Sequence, residues 1–312
     1  MSSGHAIAAD LIAVLVAVTD EQPRVMAIQN GSTLPSGPFE QRHRSLQTGL
    51  RAWVEEQTRH PLGYVEQLYT FADRDRTDGA TARHTISISY LGLTREGKGS
   101  ELQETGWRNW YDYFPWEDHR AGTPAMIERE IAPGLEKWAQ AASKPAERSD
   151  RRRRVAITFG LDGSDWNEEL VLQRYELLYE ASLVQEAMRG VPAKTKAVRA
   201  AIPGRVMSGD HRRILATGIA RLRAKIKFRP VVFELMPPNF TLLQLQRCVE
   251  ALAGQRLHKP NFRRLIEQQD LVEETGAMTA DTVGRPAKLF RFRQAVLAER
   301  AMAGTKLPLA RA

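Results

Sequence analysis

Phe240-Thr241-Leu242-Leu243-Gln244-Leu245-Gln246-Arg247 is the stretch that decides the fold. Thr241 and Gln244 have the S/T-x-x-E/Q spacing of a capping box, and Phe240 just before them is placed to staple onto Leu245. Leu242, Leu245, Val249 and Leu252 then mark one helical face, and Gly254 supplies the stop. After a turn over 255–259, Pro260 opens a second short helix, where its missing N–H would be unpaired in any case. Phe262, Leu265 and Ile266 are expected to face inward, and Lys259, Asn261, Arg263 and Arg264 outward. Strands are expected at Leu271–Glu274 and Lys288–Arg293, across a loop holding Gly276, Gly284 and Pro286. Helix, turn, basic helix and hairpin is the order of a winged helix-turn-helix, whose second helix enters the DNA major groove. The tip Gly284-Arg285-Pro286 suits a phosphate or minor-groove contact. The expected DNA-contacting residues are Thr241, Gln244, Lys259, Asn261, Arg263, Arg264, Arg285 and Lys288. Phe240–Arg293 carries nine Lys/Arg against six Asp/Glu, but the basic residues gather on the second helix and the wing. The alternative use of such a module is protein contact.

The whole chain, 312 residues with a formal net charge of +8, is long enough for two domains and basic enough to favour an anionic partner. Its one cysteine, Cys248, excludes an internal disulfide and a cysteine-based zinc site, and points to a reducing compartment. The apolar stretch Ile7–Val18 is interrupted by Asp10 and is too short to span a bilayer. It also lacks a signal-peptide pattern. A cytoplasmic protein with no membrane partner is expected.

Upstream, Leu11–Val18 and Arg24–Gln29 flank Thr19–Pro23 and read as a hairpin. Leu46, Leu50, Trp53 and Val54 predict an amphipathic helix over 44–58, with further strands at Tyr64–Phe71 and His84–Leu93. This first part is α/β. Residues 97–120 hold Trp107, Trp110, Trp116, Tyr111, Tyr113 and Phe114, expected on short strands and turns as a core cluster, with ligand stacking as the alternative. A helix is expected over 125–142. Lys144–Arg154, with Arg151 to Arg154 in a row, reads as a charged linker, or else as a phosphate or DNA contact. Val155–Leu161 reads as a strand, Trp166–Met188 as a helix, and Asp210–Lys225 as a second helix. The Lys and Arg residues at the ends of that last helix, from Arg212 to Arg229, are interrupted by no acid.

Residues 37–59 align with a degenerate Nudix box, G-x5-E-x7-R-E-U-x-E-E-x-G-U, where U is a bulky apolar residue. Gly37, Arg51, Trp53, Glu55 and Glu56 fit it. His43 and Ala52 replace two glutamates, and Thr58 and Arg59 fill the last two positions. In an intact box the carboxylates at 52, 55 and 56 share a helix face and hold Mg²⁺ against a diphosphate. The metal then stabilises developing charge and activates water. Losing the carboxylate at 52, and another at 43, should cripple that site. By themselves, Glu55 and Glu56 on an exposed helix face read more often as simple surface charge.

This damaged box, followed by Phe240–Arg247, Asn261-Phe262-Arg263-Arg264 and Gly284-Arg285-Pro286-Ala287-Lys288-Leu289-Phe290, resembles the Nudix-related transcriptional regulators of NAD metabolism, the NrtR type. Glu66–Phe71 with Asp73-Arg74, and Leu222–Lys225 through Phe233-Glu234-Leu235, are also similar to that family. The chain is longer than the usual member over about 97–205, which looks like the NadQ type. The resemblance implies a Nudix-like ligand-sensing domain over 1–230 with that long insertion, a winged helix-turn-helix over 231–296 and a tail over 297–312, expected to be disordered. It implies a repressor of NAD biosynthesis genes that requires no cofactor and is not an enzyme. A homodimer would bind a palindromic operator and respond to NAD, ATP or ADP-ribose. Arg51, Glu55, Glu56 and Arg74 match family positions near the nucleotide. Arg76 could join Arg74 on phosphates, and Trp110 or Trp116 could stack on adenine. The rival is an active Nudix hydrolase of a nucleoside diphosphate derivative, its metal site rebuilt by Glu66 or by Asp73 and Asp75.

Overall fold

The computed structural model describes residues 8–63, 65–72, 85–97, 104–189, 202–228, 231–279 and 286–293. Its centre is β1 (Ala8–Thr19), the apolar run near the start of the chain. Leu11 to Ala17 are all buried, which a strand achieves only when both faces of its sheet are covered. β2 (Gln22–Ala27) returns antiparallel to β1 with Thr19 opposite Gln22. The two-residue turn Asp20-Glu21 has φ 50° and 57°, the left-handed pair that matches strand twist in a tight hairpin. β3 (Ser36–Pro38) also pairs with β1. β4 (Val65–Phe71), β5 (Thr85–Leu93) and β6 (Gly106–Asn109) complete a mixed sheet of order β4-β5-β1-β2-β6, in which β1 and β5 run parallel.

Alternation along β1 sorts the two faces. Leu11, Ala13 and Leu15 pack with Leu50 and Val54 of helix α1 (Leu46–Thr58). Ile12, Val14 and Val16 join the larger core on the opposite side, which continues through Trp110, Trp116, Tyr175, Ile214 and Leu222 to Phe240 and Leu252. Ser45 caps α1 by accepting from the Thr48 amide at 3.2 Å.

The region 104–189 departs from the sequence expectation in three places. The aromatic cluster folds as β6 and short 3-10 turns at Trp110–Asp112 and Pro115–Glu117, and the helix expected over 125–142 forms as a π-turn at Ile127–Ile131 running into α2 (Ala132–Gln140). The expected linker 144–154 and the expected strand 155–161, however, are one helix, α3 (Pro145–Phe159). Pro145 is its first residue, where proline is tolerated, and Gly160 at φ 62° ends it. The apparent strand is helical because only Val155, Thr158 and Phe159 turn inward, whereas Ile157 stays 53% exposed. The arginine run is stable on the helix because each member meets an acid. Arg151 pairs with Glu147 at 2.7 Å, Arg153 with Asp150 at 2.6 Å, Arg152 with Glu136 of α2 at 2.5 Å, and Arg154 with Glu180 at 2.5 Å. Such exposed pairs are screened by water and salt, so they solvate this helix more than they bind it down. The helix expected over 166–188 is confined to α4 (Val171–Glu180), because Ser182 at φ 55° breaks it before a 3-10 turn at Gln185–Met188.

Helix α5 (His211–Phe228) covers the sheet from the large-core side. Gly218 permits this approach, since a Cβ there would lie 2.9 Å from Cγ1 of Val14. Arg221 is exposed, but the other basic residues of α5 are paired rather than left as a bare solvated surface. Arg212 and Arg223 are buried against Glu186 and Glu117, Lys225 bonds Glu66 of β4, Arg213 meets Glu176 of α4 and Asp210 just ahead of α5, and Lys227 meets Glu168 and Glu169 ahead of α4. Apart from Asp210, the neutralising acids come from distant parts of the chain, so local sequence does not show them.

Among the described residues, no helix is long and apolar enough to cross a membrane.

Candidate nucleic-acid interface and nucleotide site

The C-terminal module comprises α6 (Leu242–Ala253), α7 (Lys259–Gln268), β7 (Val272–Met278) and β8 (Lys288–Phe292). The capping box is complete. Thr241 Oγ1 accepts from the Gln244 amide at 3.1 Å, and the Gln244 side chain accepts from the Thr241 amide at 2.7 Å. Phe240 and Leu245 are both buried. Phe240 and Phe290 exchange backbone hydrogen bonds at 2.9 and 2.8 Å, so the chain entering α6 extends the wing as a third, single-residue strand. Rings of Phe233 and Phe240 close on Phe292 at 3.7 and 4.6 Å. Hairpin and helices thus share one core.

On α7, Phe262 and Ile266 are the buried pair, while Leu265, expected inward, is 49% exposed. The helix is held by only two apolar positions because it lies across the end of a small module. Lys259, Asn261, Arg263 and Arg264 are exposed, and no ion pair engages the three cations among the described residues. That distinguishes them from Arg151 to Arg154 of α3 and from Arg212, Arg213 and Arg223 of α5. On the wing, Lys288 meets Glu274 at 2.8 Å and Arg291 meets Glu273 at 2.7 Å. Arg285 lies outside the described residues.

The module is fastened to the rest of the chain by a buried charge network. Glu117 receives Arg174 of α4 at 2.5 and 2.9 Å and Arg223 of α5 at 2.6 Å. All three side chains are about fully buried. Burial pushes the Glu117 carboxyl up, but the two guanidiniums outweigh it and hold it below its usual range. Arg174 also donates to the carbonyls of Thr158 and Asn167 and stacks 3.8 Å from the Trp166 ring. Arg223 reaches the Leu252 carbonyl at 2.9 Å, and the Tyr111 hydroxyl donates to the Ala251 carbonyl at 2.7 Å. Those carbonyls belong to the last turn of α6, whose acceptors have no partner within the helix. Local sequence could not reveal this triad, because its members are 57 and 106 residues apart.

Among the described residues, the expected nucleotide residues fall on two sides of the sheet. Arg51 lies on α1 and donates to the carbonyls of Leu62 and, at 2.9 Å, Gly63. Glu55 and Glu56 are exposed on the same helix. Trp110 and Trp116, in contrast, are 0% exposed in the core on the other side of the sheet. They offer no open ring face to an adenine, and they fill the core reading given to that cluster. Arg74 and Arg76, with Asp73 and Asp75, lie outside the described residues. Glu66, a candidate to rebuild a metal site, is engaged by Lys225.

The remaining Nudix-box matches have structural work. A Cβ on Gly37 would lie 2.4 Å from the Trp53 ring, which crosses there to donate to the Pro38 carbonyl at 2.9 Å. His43, standing where the box has Glu, is buried and accepts from the Glu40 amide at 3.1 Å. Among the described residues no group of three His, Cys, Asp or Glu side chains is arranged to hold a metal.

A mixed sheet clasped between a box-bearing helix and a long second helix, followed by a winged helix, defines a Nudix-like α/β domain joined to a winged-helix domain. Comparison with known proteins places it further. Residues 232–292 match the family described as the NrtR DNA-binding winged helix domain. The ADPR responsive transcriptional repressor NtrR of Acinetobacter baylyi is 40% identical over 83 residues, 27% of this chain. The match spans 33% of that repressor's length. The fold as a whole is similar to solved structures of this architecture. Shewanella oneidensis NrtR, in a crystal structure complexed with a 27mer DNA, superimposes with a TM-score of 0.54 at 20% identity, covering 93% of this chain and 95% of that one. A MutT/nudix family protein from Enterococcus faecalis gives 0.52 at 17% identity over 94% and 89% of the two chains.

Proposed function

We propose that this protein is a cytoplasmic transcriptional repressor whose winged helix binds operator DNA and whose Nudix-like domain senses an NAD-related nucleotide. The observation that carries the reading is the exposed surface of α7, where Lys259, Arg263 and Arg264 stand without acid partners beside Asn261. Elsewhere in the chain Arg151 to Arg154 of α3 and Arg212, Arg213 and Arg223 of α5 are met by carboxylates. Unpaired cations on the second helix of a winged helix are what phosphate and base-edge contacts require. The likeness to a repressor named as ADPR responsive supports an ADP-ribose type of effector.

In this reading Arg51, Glu55 and Glu56, with Arg74 and Arg76, face the nucleotide, and the domain does not hydrolyse it, because Ala52 and His43 stand at two carboxylate positions of the box. A homodimer would present two copies of α7 to a palindrome in NAD biosynthesis genes, with the long middle region as in the NadQ type. Nucleotide would bias the spacing of the two helices. Domain limits of 1–230 and 231–296 are part of the proposal.

Gel-shift on DNA from the gene's own upstream region, with and without NAD, ATP and ADP-ribose, tests it. A shift that one of these nucleotides changes is expected, and Arg264→Ala should weaken binding by about 1–3 kcal/mol. Failure to bind DNA under any of these conditions, or sustained turnover of ADP-ribose with Mg²⁺ at ordinary enzyme rates, would overturn the reading.

A further inference from the structure

Leu265 is a large apolar side chain that the core does not use. It sits between Arg264 and the buried Ile266 on α7, yet it remains 49% exposed. Helical spacing places Asn261, Arg264, Leu265 and Gln268 in one contiguous stripe, at i, i+3, i+4 and i+7. All four are exposed. The stripe therefore offers an amide, a guanidinium, an isobutyl group and a second amide side by side.

A lone leucine is too small an apolar surface to anchor a protein partner, which needs a contiguous patch of hundreds of Å². The cations around it also select an anionic occupant. In the major groove of DNA the one apolar feature on the base edges is the thymine C5-methyl group, and aliphatic side chains read it by contact. The amide and guanidinium neighbours match the other features of those edges: Asn and Gln suit adenine, and Arg suits guanine.

We propose that Leu265 is a specificity-determining residue that packs on a thymine methyl in the operator, next to base pairs read by Asn261, Arg264 or Gln268. This rests on the DNA-binding reading above and deepens it. Burying the methyl against Leu265 favours an A·T pair at that step over G·C without a hydrogen bond. The hydrophobic gain for one methyl-sized group corresponds to a roughly four-fold change in affinity.

The test uses the full chain and its own upstream DNA, prepared once with thymine and once with deoxyuridine in every thymine position. Binding is measured for the native protein, Leu265→Ala and Leu265→Met, with circular dichroism confirming that each is folded. The native protein and Leu265→Met should bind the deoxyuridine DNA roughly four-fold or more weakly per contacted methyl. Leu265→Ala should lose most of that discrimination. Any change in DNA shape caused by deoxyuridine acts on all three proteins alike and cancels in the comparison. Equal binding of both DNAs by the native protein, or full discrimination by Leu265→Ala, overturns the methyl contact while leaving the repressor reading intact. So does a change in oligomeric state on Leu265→Ala, which would assign the leucine to a contact between copies. Absence of binding to either DNA by the native protein overturns both.

Discussion

Arg223 donates from Nε to the Leu252 carbonyl at 2.9 Å, so a guanidinium rooted in the helix of the Nudix-like domain closes the last turn of the first winged-helix helix. The same guanidinium is neutralised by Glu117, which Arg174 grips from the other side. A cation at a helix C-terminus is favourable in itself. Here it also means that the winged-helix module and the domain beneath it share a buried ion network.

Breaking that network should be costly. Arg223→Met leaves the carbonyl of Leu252 without its donor and Glu117 with one partner. Removing one member of a buried ion pair costs about 3–5 kcal/mol. Urea unfolding of the full chain should show a loss of that order. A change under about 1 kcal/mol would mean that the triad is as weakly coupled as a surface pair.

Gly254 ends α6 at φ 73°, and a Cβ there would lie 2.4 Å from the Glu117 carbonyl oxygen. Its own carbonyl accepts from the His119 amide at 2.8 Å. Both neighbours are backbone and cannot swing aside. Gly254→Ala should therefore destabilise by about 2–4 kcal/mol, combining left-handed strain with overpacking. Gly276 in the wing is the control, at φ 78° with nothing within 4 Å of a Cβ. Gly276→Ala should cost only the backbone part, about 1–2 kcal/mol. Equal losses in thermal melts would show that the contact with Glu117 does not constrain the module.

Glu250 gives the module a pH dependence. Burial raises its carboxyl, but hydrogen bonds from Arg256, the Leu257 amide, Gln246 and Arg247 outweigh this and bring it from 4.5 down to about 2. A carboxylate depressed in the folded state stabilises fully above its unfolded value. That stabilisation is lost as the pH falls from about 4.5 towards about 2. Glu250→Gln should lower stability at neutral pH and flatten the acid limb of the stability curve between those values. An unchanged acid slope would remove Glu250 from the account.

Features held within a few turns of chain were legible in advance. The capping box at Thr241 and Gln244, the stop at Gly254, Pro260 at the start of α7 and the unbroken apolar run of β1 each carry their reason in adjacent residues. Where local pattern misled, the deciding partner was far away. Arg151 to Arg154 read as a linker because two of their acids, Glu136 and Glu180, lie on other helices. Val155–Leu161 read as a strand because an apolar run has no period until one face is covered. Leu265 read as core because spacing cannot say how much core a short helix finds.

The sequence by itself determined a winged helix with a basic second helix, and it offered a stretch over 37–59 that aligns with a Nudix box lacking glutamates at 43 and 52. Both follow from residue types at fixed short spacings. Only the tertiary structure decided that Trp110 and Trp116 are core, that α1 lies across the sheet from them, and that Glu117, Arg174 and Arg223 meet beneath the winged helix. Those facts depend on which sheet face each element covers, and burial is a property of the assembled core rather than of any segment.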